Sequence, residues 1–212
     1  MRTNKYQSIP EQLDLLFPET HCFLNYKFDY QLLFAVILSA QATDESVNKA
    51  TSILFEKYKD LSSYNYENYD DIFDCIKTVG LGKSKTKYLI ETASILLNQY
   101  DGKVPKDRVQ LMKLPGVGFK TSGVVLAELY NYQYIPVDTH IHRVSIRLGI
   151  VDKNTSADKT ELKLEKLFSD ISFINLHRQL ILFGRNICTS IRPKCELCPF
   201  TNICKQFKSN KK

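Results

Sequence analysis

Four of the six cysteines stand close together near the end of the chain, at Cys188, Cys195, Cys198 and Cys204. This clustering constrains the fold because four soft thiolates in so short a segment indicate a metal site. Zinc held by four cysteines is a common case, and the spacing C-x6-C-x2-C-x5-C differs from that of ferredoxins. The segment therefore predicts a metal-bound loop and leaves the metal open.

The start of the chain and its apolar runs bear on the compartment and on membranes. Residues 1–6 have no apolar core of the kind that a secretory signal needs. The most apolar run, residues 32–40, is far shorter than the ~20 residues that span a bilayer. We therefore expect an intracellular protein of the cytoplasm or nucleoid, with no membrane partner and with reduced cysteines. The two remaining cysteines, Cys22 and Cys75, are expected to lie in the core.

Helical periodicity runs through most of the chain. Apolar residues recur at spacings of three and four, as in Leu32, Val36 and Ala40. No stretch alternates cleanly with period two, so little or no sheet is expected. Asp29, Asp107 and Asp138 stand where helices should begin. The pattern predicts an all-α fold with helices near residues 8–17, 29–40, 44–58, 67–77, 84–99, 107–113, 120–130, 139–149, 157–169 and 172–187.

The charge balance favours an anionic partner. The formal net charge is +6 and the sequence pI is about 8.9. Nucleic acid is the commonest partner of a basic protein, although many basic proteins bind none.

A glycine turn joins two of the predicted helices. In Leu114-Pro115-Gly116-Val117-Gly118, the two glycines permit positive φ and leave main-chain amides uncovered. Amides at the start of the next helix can bind a DNA phosphate without reading sequence. Leu114 and Val117 would anchor the turn in the core. A plain turn is the alternative, but the segment resembles the helix-hairpin-helix motif of DNA-binding proteins.

Two further residues follow this turn. Lys120 lies in the first turn of the next helix, and its neighbours Phe119, Val124 and Val125 predict partial burial. Taken alone, Lys120 would be read as an exposed lysine that binds phosphate. Asp138, in Val137-Asp138-Thr139-His140, would be read alone as an N-cap.

Together the two segments resemble the endonuclease III family of helix-hairpin-helix DNA glycosylases. The resemblance covers about residues 28–204 and implies that Lys120 attacks the sugar C1′ of a damaged nucleotide, assisted by Asp138. It implies a base-excision repair enzyme that removes oxidised pyrimidines from double-stranded DNA and then cuts the abasic strand by β-elimination. A monofunctional mismatch glycosylase is the alternative, disfavoured by Lys120. A DNA-binding module without activity is a third reading.

The resemblance also implies DNA contacts from two loops. Leu38-Ser39-Ala40-Gln41-Ala42-Thr43-Asp44 matches the family segment whose glutamine, here Gln41, fills the gap left by a flipped nucleotide. Leu81, between Gly80 and Gly82, matches the apolar wedge of the family. A solvated loop residue and a core anchor are the respective alternatives for Gln41 and Leu81.

The same resemblance identifies the cysteine spacing with a [4Fe–4S] cluster. Its loop carries Arg192 and Lys194, which would hold the DNA backbone. The implied domains are a six-helix barrel with the hairpin over residues 22–132 and an iron–sulfur domain of residues 1–21 plus 133–212. A monomer is expected.

His140, His142 and Phe119 need separate comment, because the two histidines resemble a metal site and two of the three residues differ from the family pattern. His140 and His142 lie two apart on a helix and are expected not to share a metal. The family usually has an aromatic residue in place of His142 and often a basic one in place of Phe119, so the sequence departs from the family pattern at these two positions.

Overall fold

The computed structural model describes residues 5–210, and every regular element in that range is helical. The all-α prediction is therefore confirmed for the described residues. The helices, in chain order, are α1 (Ile9–Leu16), α2 (Asp29–Leu38), α3 (Asp44–Lys57), α4 (Tyr69–Ile76), α5 (Gly82–Gln99), α6 (Arg108–Leu111), α7 (Phe119–Tyr130), α8 (Thr139–Leu148), α9 (Ala157–Leu167), α10 (Phe173–Asn186) and α11 (Lys205–Asn210). Short 3-10 turns lie at Leu61–Ser63, Tyr66–Asn68 and Cys195–Leu197.

The ten predicted helices are all present, with ends shifted by a few residues. The structure adds α11, which the sequence did not predict, because its six residues KQFKSN carry a single apolar side chain and so no periodicity. Asp107 and Asp138 are N-caps, as expected. Asp29 is instead the first residue of α2, and the side chain of Gln31 accepts a hydrogen bond from the Lys27 N–H at 2.8 Å.

The chain divides into two compact units, residues 22–130 and residues 1–21 with 131–212. In the first, α2 is the central helix, since every residue from Gln31 to Leu38 is buried and α3, α5 and α7 pack against it. A helix buried all round is apolar all round, which explains its run of Leu, Phe, Val and Ile.

The second unit brings both ends of the described chain together. α10 packs on α8 and on α1, and α8 also contacts α9 and α11. Gln179 of α10 donates to the Asp14 carboxylate at 2.8 Å and to the Phe17 carbonyl at 3.1 Å, which fixes α1 in place.

Among residues 5–210, no helix is both long enough and apolar enough to cross a membrane.

Candidate functional site

The hairpin between α6 and α7 is anchored as predicted. Leu114 and Val117 are buried, and the Val117 N–H donates to the Leu114 carbonyl at 3.1 Å. Gly116 has a φ of +76°, and a Cβ on it would lie 2.7 Å from the Tyr88 ring. Gly118 has no positive φ, and a Cβ there would meet nothing within 4 Å. Gly116 therefore shapes the turn, while Gly118 leaves the backbone open to an approaching group.

Lys120 is the second residue of α7 and is exposed. The predicted partial burial is wrong, because Lys120 lies in the first turn of α7 and its same-face neighbour Val124, one turn later, is itself only half-buried. The buried residues of this helix, such as Ser122, Val125 and Leu126, lie further along it. The amine is thus free to meet a partner from solvent.

Asp138 caps α8. Its Oδ1 accepts a hydrogen bond from the Ile141 N–H at 2.8 Å, and its side chain is half-buried. The cap uses one carboxylate oxygen and leaves the other for a different partner. Lys120 belongs to the unit 22–130 and Asp138 to the other unit.

Gln41 and Leu81 lie on two adjacent loops of the unit 22–130. A Cβ on Gly80 would lie 3.9 Å from the Gln41 carbonyl oxygen. Both residues adopt the left-handed conformation, with φ of +56° for Gln41 and +60° for Leu81, which is costly for residues other than glycine. Leu81 is 59% exposed, so it is not a core anchor.

Lys85 is a residue of this region that sequence reasoning missed. It is buried, and its ammonium donates to main-chain carbonyls beside both loops. The available signal was its position on the apolar face of α5, four residues before the buried Leu89.

The four clustered cysteines line one cavity of about 160 Å³. Among the described residues, no three metal-binding side chains of the kinds His, Cys, Asp or Glu are placed to hold a single metal ion. Four thiol groups around one cavity are a donor set that suits a soft metal centre, either a zinc ion or an iron–sulfur cluster.

Charge at this cavity also suits a metal centre. Burial raises the pKa of the Cys198 thiol to about 11, and neighbouring thiolates raise it too. Thiolates here therefore need positive charge. Arg147 supplies some of it, since its Nη1 lies 3.4 Å from Cys188 Sγ and 2.6 Å from the Thr189 carbonyl. Arg143 donates to the Cys188 carbonyl at 3.1 Å.

Arg192 and Lys194 are exposed on the loop between Cys188 and Cys195. The Thr189 hydroxyl donates to the Ile191 carbonyl at 2.9 Å, which tightens the loop. Ile191 is 80% exposed beside Arg192. The loop therefore presents an apolar tip with two cations, and sequence reasoning did not identify the apolar residue.

His140, His142 and Phe119 each contact a different group. His142 Nε2 lies 2.8 Å from the Thr155 carbonyl, and His140 Nδ1 lies 3.3 Å from an Arg143 nitrogen. The Arg108 guanidinium lies 3.9 Å from the centre of the Phe119 ring. A positive charge is therefore present beside Phe119, at the position where the family often has a basic residue.

Cys22 and Cys75 are half-buried, so their predicted core positions are wrong. Burial nevertheless raises the pKa of the Cys75 thiol, and Asp71 raises it further.

Comparison with known proteins identifies the family of the chain. The model of the HhH-GPD superfamily of base excision DNA repair proteins matches residues 34–170. Endonuclease III of Bacillus subtilis (strain 168) is 38% identical over 191 residues, which cover 90% of this chain and 87% of the relative. Endonuclease III of Escherichia coli (strain K12) is 40% identical over 181 residues, 85% of each chain.

Solved structures give the same result. The structure of a trapped endonuclease III–DNA covalent intermediate matches with a TM-score of 0.92 and 36% identity, covering 99% of both chains. A thermostable thymine-DNA glycosylase, with a TM-score of 0.75 and 22% identity, shares the fold.

The helical fold and its glycine hairpin define a helix-hairpin-helix DNA glycosylase. More specifically, the chain belongs to the endonuclease III family. It is a base-excision repair enzyme that acts on double-stranded DNA as a glycosylase and abasic-site lyase, and the family resemblance seen in the sequence is confirmed.

Proposed function

We propose that the chain removes oxidised pyrimidines through Lys120 and then cleaves the strand 3′ to the site. The main support is that Lys120 is exposed and is the second residue of α7, the helix that starts directly after the glycine hairpin. A phosphate bound at the hairpin amides would bring the sugar of a nearby flipped nucleotide to this amine.

The chemistry uses the amine twice. The neutral amine of Lys120 forms a bond to C1′ while the glycosidic bond breaks and the base leaves with its electron pair and takes up a proton. The sugar ring then opens to a protonated Schiff base. This iminium acidifies C2′, loss of that proton forms a double bond, and the 3′ phosphate leaves. Water as nucleophile could remove the base but could not form the iminium.

Asp138 acts as the partner of this reaction. Its carboxylate either takes a proton from Lys120, which leaves the amine nucleophilic, or stabilises positive charge on the sugar. The oxygen that does not cap α8 is the one available for this role.

Gln41 and Leu81 enter the DNA stack in this proposal. The exposed, left-handed conformation of each supports insertion, because strained exposed residues concentrate at functional sites. Leu81 supplies an apolar wedge, and the Gln41 amide hydrogen-bonds to the orphaned base. Gly116, Val117 and Gly118 hold a phosphate beside them.

Cys188, Cys195, Cys198 and Cys204 would hold a [4Fe–4S] cluster. When bound, the cluster supplies structural cross-linking and charge, and it takes no part in base removal. Arg192 and Lys194 would then contact the DNA backbone. We assign residues 22–132 to the six-helix barrel domain and residues 1–21 plus 133–212 to the iron–sulfur domain, and we propose an intracellular monomer.

A borohydride trap tests the proposal. The wild-type protein is incubated with a labelled duplex that holds one oxidised thymine, and borohydride is added. A covalent complex on a denaturing gel is expected. Base release without a covalent complex, on this duplex and on one with an abasic site, would instead indicate the monofunctional reading.

Asp138→Asn should separate capping from catalysis. The amide oxygen still caps α8, so the free energy of unfolding, measured in urea, should change by less than about 0.5 kcal/mol. Loss of the carboxylate should slow single-turnover excision roughly a hundredfold. Asp138→Ala, the control for the cap, should lose about 1 kcal/mol as well. Full activity of Asp138→Asn would reduce the residue to a helix cap.

The two hairpin glycines should respond differently to alanine. Gly116→Ala should lower the free energy of unfolding by about 2 kcal/mol, because φ is positive and the Tyr88 ring must move. Gly118→Ala should leave stability within about 0.5 kcal/mol. It should nevertheless weaken binding to undamaged duplex, measured by fluorescence anisotropy, because a methyl group blocks the phosphate. Unchanged binding by Gly118→Ala would exclude phosphate contact there.

A further inference from the structure

Lys85 is a buried cation whose partners are main-chain carbonyls. Its side chain lies inside the unit 22–130, and the residue is only 2% exposed. The ammonium donates to the carbonyls of Leu38 at 2.8 Å, Ala40 at 2.8 Å and Val79 at 3.1 Å. An ammonium group has three protons, so each one is matched by an oxygen.

These carbonyls come from two separate segments. Leu38 ends α2, and Ala40 directly precedes Gln41. Val79 lies two residues before Leu81. One side chain, from the first turns of α5, thus fastens the two loops whose tips are Gln41 and Leu81. The end of α2 also suits a cation, because the carbonyl end of a helix is negative.

The loops need such a fastening. A non-glycine residue in the left-handed region is sterically strained, and such conformations persist only where their surroundings enforce them. Burial lowers the pKa of Lys85, so keeping a charged group there is itself costly. A surface position would provide a charge without that cost, whereas the buried position provides rigidity between the loops.

We propose that Lys85 is a positioning residue that joins the two loops into one rigid element, so that Gln41 and Leu81 enter the DNA as a unit. The inference rests on the proposed function of these two loops in displacing the damaged base. Lys85 itself does not touch DNA. It acts by holding the spacing of the two inserted side chains.

The test uses the full chain and a duplex with 2-aminopurine next to an oxidised thymine, because 2-aminopurine brightens when it is unstacked. Lys85→Met keeps the length of the side chain and removes its three donors. We expect the fluorescence rise to fall at least fivefold and excision to slow at least tenfold. Covalent trapping at a preformed abasic site should change less than threefold, since there is no base to displace there.

Thr86→Val is the matched control. Thr86 is also buried in the same turn, and its hydroxyl donates only locally, to the Gly82 carbonyl at 2.9 Å. This variant should lower the melting temperature and keep the fluorescence rise. Lys85→Arg, which keeps a cation with several donors, should retain most of the rise and serves as the test if Lys85→Met does not fold. Equal defects in Thr86→Val, or an Arg variant as defective as Gln41→Ala, would overturn the inference.

Double variants separate this inference from the proposed function. Leu81→Ala should reduce the fluorescence rise in the wild-type background and add little in the Lys85→Met background. If the effects of Leu81→Ala and Lys85→Met on the fluorescence rise are fully additive, the coupling through Lys85 is overturned, while the proposed insertion of the loops stands. No effect of Gln41→Ala or Leu81→Ala in the wild-type background would instead overturn the insertion of these loops, and the inference with it, while the trap at Lys120 would be unaffected.

Discussion

Lys120→Ala should lose base excision, strand cleavage and the borohydride-trapped complex together. We expect excision to fall by at least about a thousandfold, which corresponds to ~4 kcal/mol of activation free energy, because the variant lacks the amine that displaces the base and forms the Schiff base. Lys120 is exposed, so the free energy of unfolding should stay within about 0.5 kcal/mol. Single-turnover kinetics and the trap on an abasic duplex measure the loss.

Lys113→Ala is the matched control for this experiment. Lys113 is also exposed, next to the same hairpin, and its removal subtracts an equal charge. It should weaken duplex binding modestly and flatten its salt dependence, with the trapped complex retained. If Lys120→Ala still forms the covalent complex, the nucleophile is another amine. If both variants lose only affinity, Lys120 is a phosphate contact.

Cys198→Ser should remove the proposed cluster and unfold the segment around it. The wild-type protein should be yellow-brown with a broad visible band, and the variant should be colourless. Metal binding contributes to folding because the unfolded chain has no preformed site, so the unit 1–21 with 131–212 should lose at least about 3 kcal/mol. Visible absorption, iron analysis and urea unfolding provide the three readouts.

Cys75→Ser provides the comparison, because Cys75 is a half-buried cysteine of the other unit. It should keep the colour and the iron content. Duplex binding should weaken in Cys198→Ser alone, roughly tenfold at moderate salt, since Arg192 and Lys194 lose their fixed loop. A colourless wild-type protein with one zinc ion per chain would contradict the cluster proposal.

Sequence patterns predicted the helices and their caps because both depend on local features. Apolar spacing fixes a helix face, and a carboxylate such as Asp107 or Asp138 satisfies the free amides at a helix start. The anchors Leu114 and Val117 were predictable because they are apolar residues in a short turn held between two helices. The segment α11 carried too little apolar pattern to be found.

Features that depend on how the helices and loops pack together were harder to predict from the sequence. The exposure of Lys120 follows from the direction in which α7 packs, and the burial of Lys85 follows from two loops that converge from distant parts of the sequence. Left-handed φ at Gln41 and Leu81 is likewise invisible in the sequence, because these residue types rarely adopt it.

The pairing of α1 with α10 affects how the chain is made. On the ribosome, residues 22–130 emerge as one continuous compact unit and can fold during synthesis. Ile9 and Leu13 of α1 are synthesised before residues 22–130, yet they are buried in the unit whose helix α10 emerges much later. The apolar face of α1 is therefore made well before the helix that covers it. A truncated mRNA that ends before the codon for residue 173 would release a chain in which residues 22–130 are folded and the apolar face of α1 lacks α10. A protease or chaperone could recognise that exposed apolar segment.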